Sequence, residues 1–337
     1  MTPPSQPPPT TCFSCTRLNA STFRIVEDDQ WSENPFIYAK LCAAAIVIID
    51  TGCGGAARDP AVQLTSLREF LETYPVDDNG GKPLNPGGSK AYEVVCTHCH
   101  YDHIGGIEGI TETQHPSSIW ASANIKSFIL DDLPTSSLCR YVGMKTPSYS
   151  VSHWAQDGQV MRHTSASAGT SHDLDGLVLY HAPGHTPDSL AIWDPHERFL
   201  FVGDTLYEWA PILFPSGAGD LSSYSSTIFK LRDLIRGWNS TTVDEDEDHD
   251  SAQTGSATRL SRVRMACGHV TSAVDAQEFV LEVDKFFSQV TRGLIEGQDA
   301  GEQRGVPLVK YERHDGRISF IGPKALFNAS LVGQCPV

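Results

Sequence analysis

The chain has 337 residues, enough for a large core, and its 40% apolar and 20% charged side chains are ordinary for a water-soluble globular enzyme. Its 41 acidic residues against 25 basic ones give a formal net charge of −16, which opposes nucleic-acid binding, where Lys and Arg must neutralise phosphates. No apolar stretch approaches the ~20 residues that span a bilayer, so no membrane partner is expected, and the Pro-rich start Met1 to Thr11 lacks the apolar core of a signal peptide, which points to the cytoplasm.

Residues 1–20 read as a flexible Pro-rich arm or a loose first strand, and residues 21–337 as one domain. The nine cysteines are scattered, and an odd number favours free thiols. Cys12-x-x-Cys15 is the one close pair; with no second pair near it, two thiols in an arm is preferred to a redox motif or half a zinc site. Ser21–Glu27, Phe36–Ala44 and Ala45–Asp50 are short β-rich runs. Asp59 to Tyr74 carries Val62, Leu67, Phe70 and Leu71 at helical spacing and predicts a covering helix. Asp77 to Lys90, rich in Gly and Pro, predicts a surface loop.

The apolar run Tyr92–Cys96 predicts a buried strand, and His98-Cys99-His100-Tyr101-Asp102-His103 follows it almost at once, ahead of Gly105-Gly106. An extended strand end throws alternate side chains the same way, so His98 and His100 can hold one ion. Asp102 and His103 then turn toward a second position beside it. Imidazole and carboxylate ligands suit zinc, and a catalytic site must keep one coordination position for water.

Further along, Ser117–Ser122 predicts a strand and Asn124–Leu130 a short helix. Leu177–Tyr180, Leu190–Asp194 and Phe199–Val202 predict strands, and Leu221–Trp238 a helix. Residues 239–258 hold the block Asp244 to Asp250, whose charges repel one another and cannot bury a core, so this is read as a disordered acidic insertion. Arg262–Ala266 reads as a strand, Ala276–Val290 as a covering helix, and Val306–Tyr311 with Arg317–Ile321 as a closing hairpin.

His-x-His-x-Asp-His resembles the signature of the metallo-β-lactamase-fold hydrolases, and four further landmarks of that family follow in this chain. They are His185 in Ala182-Pro183-Gly184-His185, Asp204 in Val202-Gly203-Asp204-Thr205, His269 in Cys267-Gly268-His269, and, upstream, Asp50 in Ile49-Asp50-Thr51-Gly52. The resemblance extends from about residue 21 to about 291. It implies an α+β chain folded as a four-layer αββα sandwich. It also implies two zinc ions per chain: His98, His100 and His185 on one, Asp102, His103 and His269 on the other, Asp204 bridging, and Asp50 supporting the ligand loop from behind. A hydroxide held between the metals would attack the substrate, with Asp102 orienting it and passing on its proton. Cys96, Cys99 and Cys267 are then packed side chains, not ligands. The irregular stretch Leu133–Asp157, with Tyr141, Tyr149 and Trp154, is either a pocket wall, as is common in this fold, or a packed connector.

Departures from subfamilies narrow the expectation. Zinc β-lactamases of antibiotic resistance carry Cys where this chain has Asp204, and flavodiiron proteins carry Glu where it has His100. The nuclease branches act on polyanions, which the charge opposes. Tyr207, three residues after Asp204, resembles the tyrosine of metal-dependent lactonases, whose hydroxyl assists the carbonyl oxygen. Asp188 stands where relatives often have Gly. The expectation is a dinuclear zinc hydrolase of a small-molecule acyl substrate, opening a lactone or lactam ring. Alternatives are an acyl thioesterase (glyoxalase-II-like or acyl-CoA type), a mononuclear-iron persulfide dioxygenase, and a non-catalytic metal-binding module.

Overall fold

The computed structural model describes residues 7–111, 117–164, 171–243, 258–259 and 261–332. The first sheet has seven strands in sequence order: β1 (Phe13–Arg17), β2 (Thr22–Glu27), β3 (Phe36–Leu41), β4 (Ala45–Ile49), β5 (Ala91–Val95), β6 (Ser118–Ser122) and β7 (His153–Ala155). It opens as an antiparallel meander and turns parallel from β4 onward. The second sheet contains β8 (Gln159–Thr164), β9 (Ser171–His181), β10 (Leu190–Asp194) and β11 (Phe199–Phe201), and two strands described below complete it.

Why β4 reads as an unbroken apolar run is plain from its surroundings. Val47 and Ile49 face Leu179, Ile192 and Phe201 of the second sheet, while Ile46 and Ile48 face the opposite way, onto Phe70, Leu71 and Ile107. A strand buried on both faces has no polar side to alternate. Phe70 and Leu71 belong to α1 (Leu67–Thr73), and the next helices of this layer are α2 (Tyr101–Ile104), α3 (Ile107–Thr111), α4 (Ser127–Leu130), α5 (Leu133–Ser136) and α6 (Cys139–Val142).

The outer face of the second sheet is covered by α7 (Leu221–Ser240) and α8 (Ala276–Thr291), through Tyr224, Ile228, Leu231, Phe279, Val283 and Phe287 against Trp193, Leu200 and Met265. Helices, sheet, sheet, helices: this is the expected αββα sandwich of the α+β class. Three more strand groups complete it. A short β12 (Pro211–Leu213) follows β11, and β13 (Thr242–Val243) pairs with β14 (Thr258–Arg259). β15 (Arg264–Ala266) and β16 (Val274–Asp275) extend the second sheet beside β11. β17 (Gln298–Gln303), β18 (Val306–Glu312) and β19 (Ser319–Pro323) form a separate sheet with β12, ahead of α9 (Lys324–Val332). No helix among the described residues is long and apolar enough to cross a membrane.

Several boundaries differ from expectation. The stretch 1–20, read as an arm or a loose first strand, holds the strand β1. Residues 1–6 lie outside the described residues, but Leu64 N donates to Thr10 O at 2.9 Å and Phe13 packs on Phe70 with ring centroids 5.3 Å apart. Cys12 and Cys15 are free thiols, and burial first, then neighbouring carboxylates, pushes both up to about 12, so neither is a ready nucleophile. The helix expected over 59–74 starts only at Leu67, where the Ser66 side chain accepts from Glu69 N. The insertion expected over 239–258 begins later, because α7 runs through Ser240 and residues 242–243 pair with 258–259. Its acidic block lies within 244–257, outside the described residues.

One ion pair joins the two sheets through the core between them. Lys40 of β3, 1% exposed, meets Asp194 of β10, fully buried, at 2.7 Å, with Asp175 at 3.4 Å and the Ser21 hydroxyl at 3.0 Å. Removing Asp194 takes from the buried Lys40 its nearest counter-charge and leaves it the more distant, partly exposed Asp175 and the Ser21 hydroxyl. Asp194→Ala is therefore expected to cost about 3 kcal/mol in urea unfolding, and Lys40→Met with Asp194→Leu to recover most of it. A loss below about 1 kcal/mol for the single change would show that the pair does not fix the sheets.

Candidate metal centre

All the expected ligands lie where strands end on one edge of the sandwich. β4 delivers Asp50, β5 delivers Thr97 to His103, the turn after β9 delivers His185, and the parallel pair β11 and β15 delivers Asp204 and His269. Seven side chains from both sheets come together as two buried groups: His98, His100 and His185, and Asp102, His103, Asp204 and His269. Within each group the ligand atoms lie within 4.8 Å of one another.

In the first group His98 Nε2 lies 2.9 Å from His100 Nδ1, which lies 3.1 Å from His185 Nε2. Each outer contact identifies the ring nitrogen that carries the proton. His98 Nδ1 faces the Thr97 hydroxyl at 3.1 Å, whose own proton goes to Asp50 Oδ2 at 2.7 Å, and His185 Nδ1 donates to Leu213 O at 2.8 Å. The inward Nε2 atoms of His98 and His185 are thereby left as lone pairs. Burial, with the crowding of neighbouring imidazoles, holds His98 well below the usual histidine range and His100 at about 3, so these rings are neutral.

In the second group His103 Nε2 is 3.4 Å from both Asp102 Oδ2 and Asp204 Oδ1, and His269 Nε2 is 3.1 and 3.5 Å from the same two atoms. Donors of a tetrahedral zinc at about 2.0–2.2 Å lie about 3.3–3.6 Å apart, which three of these four edges match. Asp204 turns its other oxygen, Oδ2, toward His185 Nε2 at 3.9 Å, so its carboxylate spans the two groups. His103 Nε2 and Asp204 Oδ1 are buried without a hydrogen-bond partner, a costly arrangement that a cation between them would satisfy. His103 Nδ1 is held by Asp50 Oδ2 at 2.8 Å and His269 Nδ1 by Glu33 O at 2.9 Å. Burial alone would raise the Asp102 and Asp204 carboxyls, but the adjacent His103 and His269 hold both well below the usual carboxylate range. The residues present thus fit two metal ions.

A cavity of about 570 Å³ opens over both groups, lined among others by Glu33, Tyr101, Leu138, Val142, Tyr207, Leu213, Val270 and Arg304. The irregular stretch after Leu133 therefore contributes to the wall, through Leu138 and Val142. Tyr207 is buried with its ring 6.0 Å from that of His269, but its hydroxyl donates to Pro211 O at 3.0 Å. Two of its lining side chains are exposed and apolar, Val270 at 51% and Leu213 at 44%, and the exposed Tyr141 packs against the lining Arg304.

Some participants carry no sequence signal. Glu33 holds His269 through its backbone carbonyl and accepts from the Tyr101 hydroxyl at 2.5 Å through its side chain. The Leu213 carbonyl is equally invisible in sequence. Asp188, unexplained by the sequence, is buried with Oδ1 unpartnered, and burial pushes its carboxyl up to about 6 beside Thr186 and Cys99.

Fold and centre together define a metal-dependent hydrolase. The sequence matches the metallo-beta-lactamase superfamily over residues 44–241, and the chain belongs to that superfamily. It is 35% identical over 286 residues to "Putative transcription factor avaE" of Aspergillus versicolor, covering 85% of this chain and 78% of that one. It is 31% identical over 143 residues to a "Beta-lactamase-like protein 2 homolog" of Caenorhabditis elegans, covering 42% of this chain and 38% of that one. Acyl-coenzyme A thioesterase MBLAC2 of Gallus gallus is 24% identical over 208 residues, covering 56% of this chain and 63% of its own.

Gly268 tests the fit of the second group. A methyl on its α-carbon would stand 2.2 Å from Asp204 Oδ1 and 2.8 Å from His103 Cε1. Gly268→Ala is expected to keep the fold and lose at least one metal equivalent by elemental analysis. Full metal content in this variant would show that Asp204 does not need its present position.

Proposed function

We propose that the chain is a dinuclear zinc hydrolase of a small-molecule acyl substrate and that the bond it cleaves is a thioester. The observation that carries the hydrolase reading is the convergence of seven buried ligand atoms in two groups spanned by Asp204, beneath a cavity. Zinc bound there would acidify a water toward a pKa of ~7 and polarise a carbonyl. The donor set, imidazole and carboxylate without thiolate, suits that metal. His98, His100, His185, Asp102, His103, Asp204 and His269 hold the metals, and Asp50 sets the orientation of His103. Asp102, kept ionised and lining the cavity, takes the proton of the attacking water and returns it toward the leaving group.

The choice of bond turns on Tyr207. A lactone or lactam reading uses its hydroxyl as a donor to the carbonyl oxygen, yet that proton is committed to Pro211 O. A thioester, whose thiolate leaves readily, asks less of such a donor. The Gallus gallus relative is named for that bond, and the exposed apolar Val270 and Leu213 of the cavity lining suit an apolar acyl chain. Ring opening is the second reading, and it requires Tyr207 to leave Pro211. The carboxylate-bearing second group favours two metals over the single iron of a persulfide dioxygenase, and the intact set favours an enzyme over a binding module. A DNA-binding role, as the name of the Aspergillus versicolor relative suggests, has little support in a chain of net charge −16. Eight free cysteines among the described residues suit a reducing cytoplasm.

Elemental analysis should approach two zinc ions per chain, and Asp204→Ala should lose metal and turnover together. Full activity of Asp204→Ala would sink the dinuclear reading. A panel of acyl thioesters, lactones and lactams should show turnover on the thioesters first. Tyr207→Phe should stay within about twofold on them, since Phe fills nearly the same volume. A fall of ~10-fold in kcat, with zinc unchanged, would move ring opening to the front.

A further inference from the structure

The cations on the C-terminal sheet are all paired except one. Arg313 meets Glu282 and Asp315, Arg317 meets Glu208 and Glu282, Lys310 meets Glu312 and Lys324 meets Asp299. Arg304, at the turn between β17 and β18 with φ 55°, has no carboxylate partner among the described residues. Its guanidinium lies instead 3.6 Å from the centroid of the Tyr141 ring, on α6. Both segments shape the cavity, the hairpin through Gln303 and Arg304 and the α6 region through Leu138 and Val142. Arg304 is the one Lys or Arg among the lining residues, and Glu33, Asp102 and Asp204 are its acidic counterparts deeper in.

A guanidinium 3.6 Å over a phenol ring is restrained there, and its N–H groups, which have no acceptor among the described residues, can meet an anion. An anionic substrate approaching an acidic chain would otherwise be drawn to the metal ions themselves, which are the wrong end for its charge. A cation fixed at the mouth takes the anion there and leaves the carbonyl to go inward.

We propose that Arg304 is the anion-recognising residue of this cavity, so that the substrate is an acyl thioester bearing a phosphate or carboxylate away from the scissile bond. This rests on the acyl-hydrolase reading above. Arg304 is a specificity residue and takes no part in the bond cleavage.

The test uses the zinc-loaded protein and three thioesters: one acyl group on coenzyme A, the same group on uncharged N-acetylcysteamine, and an ω-carboxyacyl group on N-acetylcysteamine. Arg304→Ala is expected to raise KM ~10-fold for an anionic substrate at nearly constant kcat, and to leave the uncharged one unchanged. Arg304→Lys should recover part of the loss. Whichever anionic substrate responds places the charge on the carrier or on the acyl group. Equal effects on charged and uncharged thioesters, or none on either, would overturn the proposal. Calorimetric titration with desulfo-coenzyme A and with the free ω-carboxy acid separates this from the choice of bond. If no thioester turns over, the bond assignment fails, while ~10-fold weaker binding of either probe by Arg304→Ala still supports the anion site, and equal binding of both probes by variant and wild type rejects it.

Discussion

Both candidate metal-binding groups hang from one carboxylate. Asp50 is buried at the end of β4, and its two oxygens accept from Thr97 N at 2.7 Å, from the Thr97 hydroxyl at 2.7 Å and from His103 Nδ1 at 2.8 Å. The Thr97 hydroxyl, having given its proton to Asp50, is left to accept from His98. One anion therefore fixes the tautomers of a ligand in each group. Its backbone stands at φ 60°, an uncommon conformation for a residue with a side chain, held there by Asp50 N on Val95 O and Thr51 N on His103 O. Burial raises its carboxyl and the contact with His103 opposes that, so the desolvation of Asp50 is offset only by the groups it organises.

A carboxylate at the end of one strand can set ligands from another only if the strands keep their register, and ligands from the second sheet must arrive at the same height. Polar contacts through the central layer secure this. Besides Lys40 and Asp194, Glu93 of β5 accepts from the Trp120 indole of β6 at 2.7 Å and meets His163 of β8 at 2.7 Å. The Tyr38 hydroxyl of β3 donates to Cys267 O at 2.5 Å, two residues from His269. Apolar packing alone is non-directional and would tolerate sliding; these contacts do not.

The sequence reveals most where function is local. His98 to His103 share one loop, so their spacing is itself geometry, and Asp50, His185, Asp204 and His269 each follow a strand-like run that ends in a glycine-bearing turn. What it hides falls into two kinds. Glu33 and Leu213 act through backbone carbonyls, which any residue possesses, and Arg304 reaches the cavity only because a polar hairpin folds back onto α6. Elements lost to reading failed for related reasons. β17, Gln298–Gln303, is an exposed edge strand with no apolar alternation to betray it. The turn ahead of α1 carries Val62 at helical spacing without being helical. In the N-terminal arm, proline content outweighed two buried side chains, Cys12 and Phe13.

The two ligand groups are chemically unequal, and that inequality suits the division of labour expected of them. The first is three neutral imidazoles, with His98 and His185 turning Nε2 lone pairs toward His100 Nδ1 at about 3 Å, a set of uncharged donors ready for a cation. The second balances two carboxylates against two imidazoles, and the carboxylates draw protons onto His103 and His269, raising both well above the usual histidine range against the effect of burial. A cation held by the second group would take the place of such protons, whereas the neutral imidazoles of the first would have none to give up. Asp204 belongs to both, with one oxygen toward each, so the charge that draws a cation to one site is shared with the other. The shared carboxylate thus ties the electrostatics of the two groups together, and the group that attracts protons more strongly is the one that holds both Asp102 and Asp204.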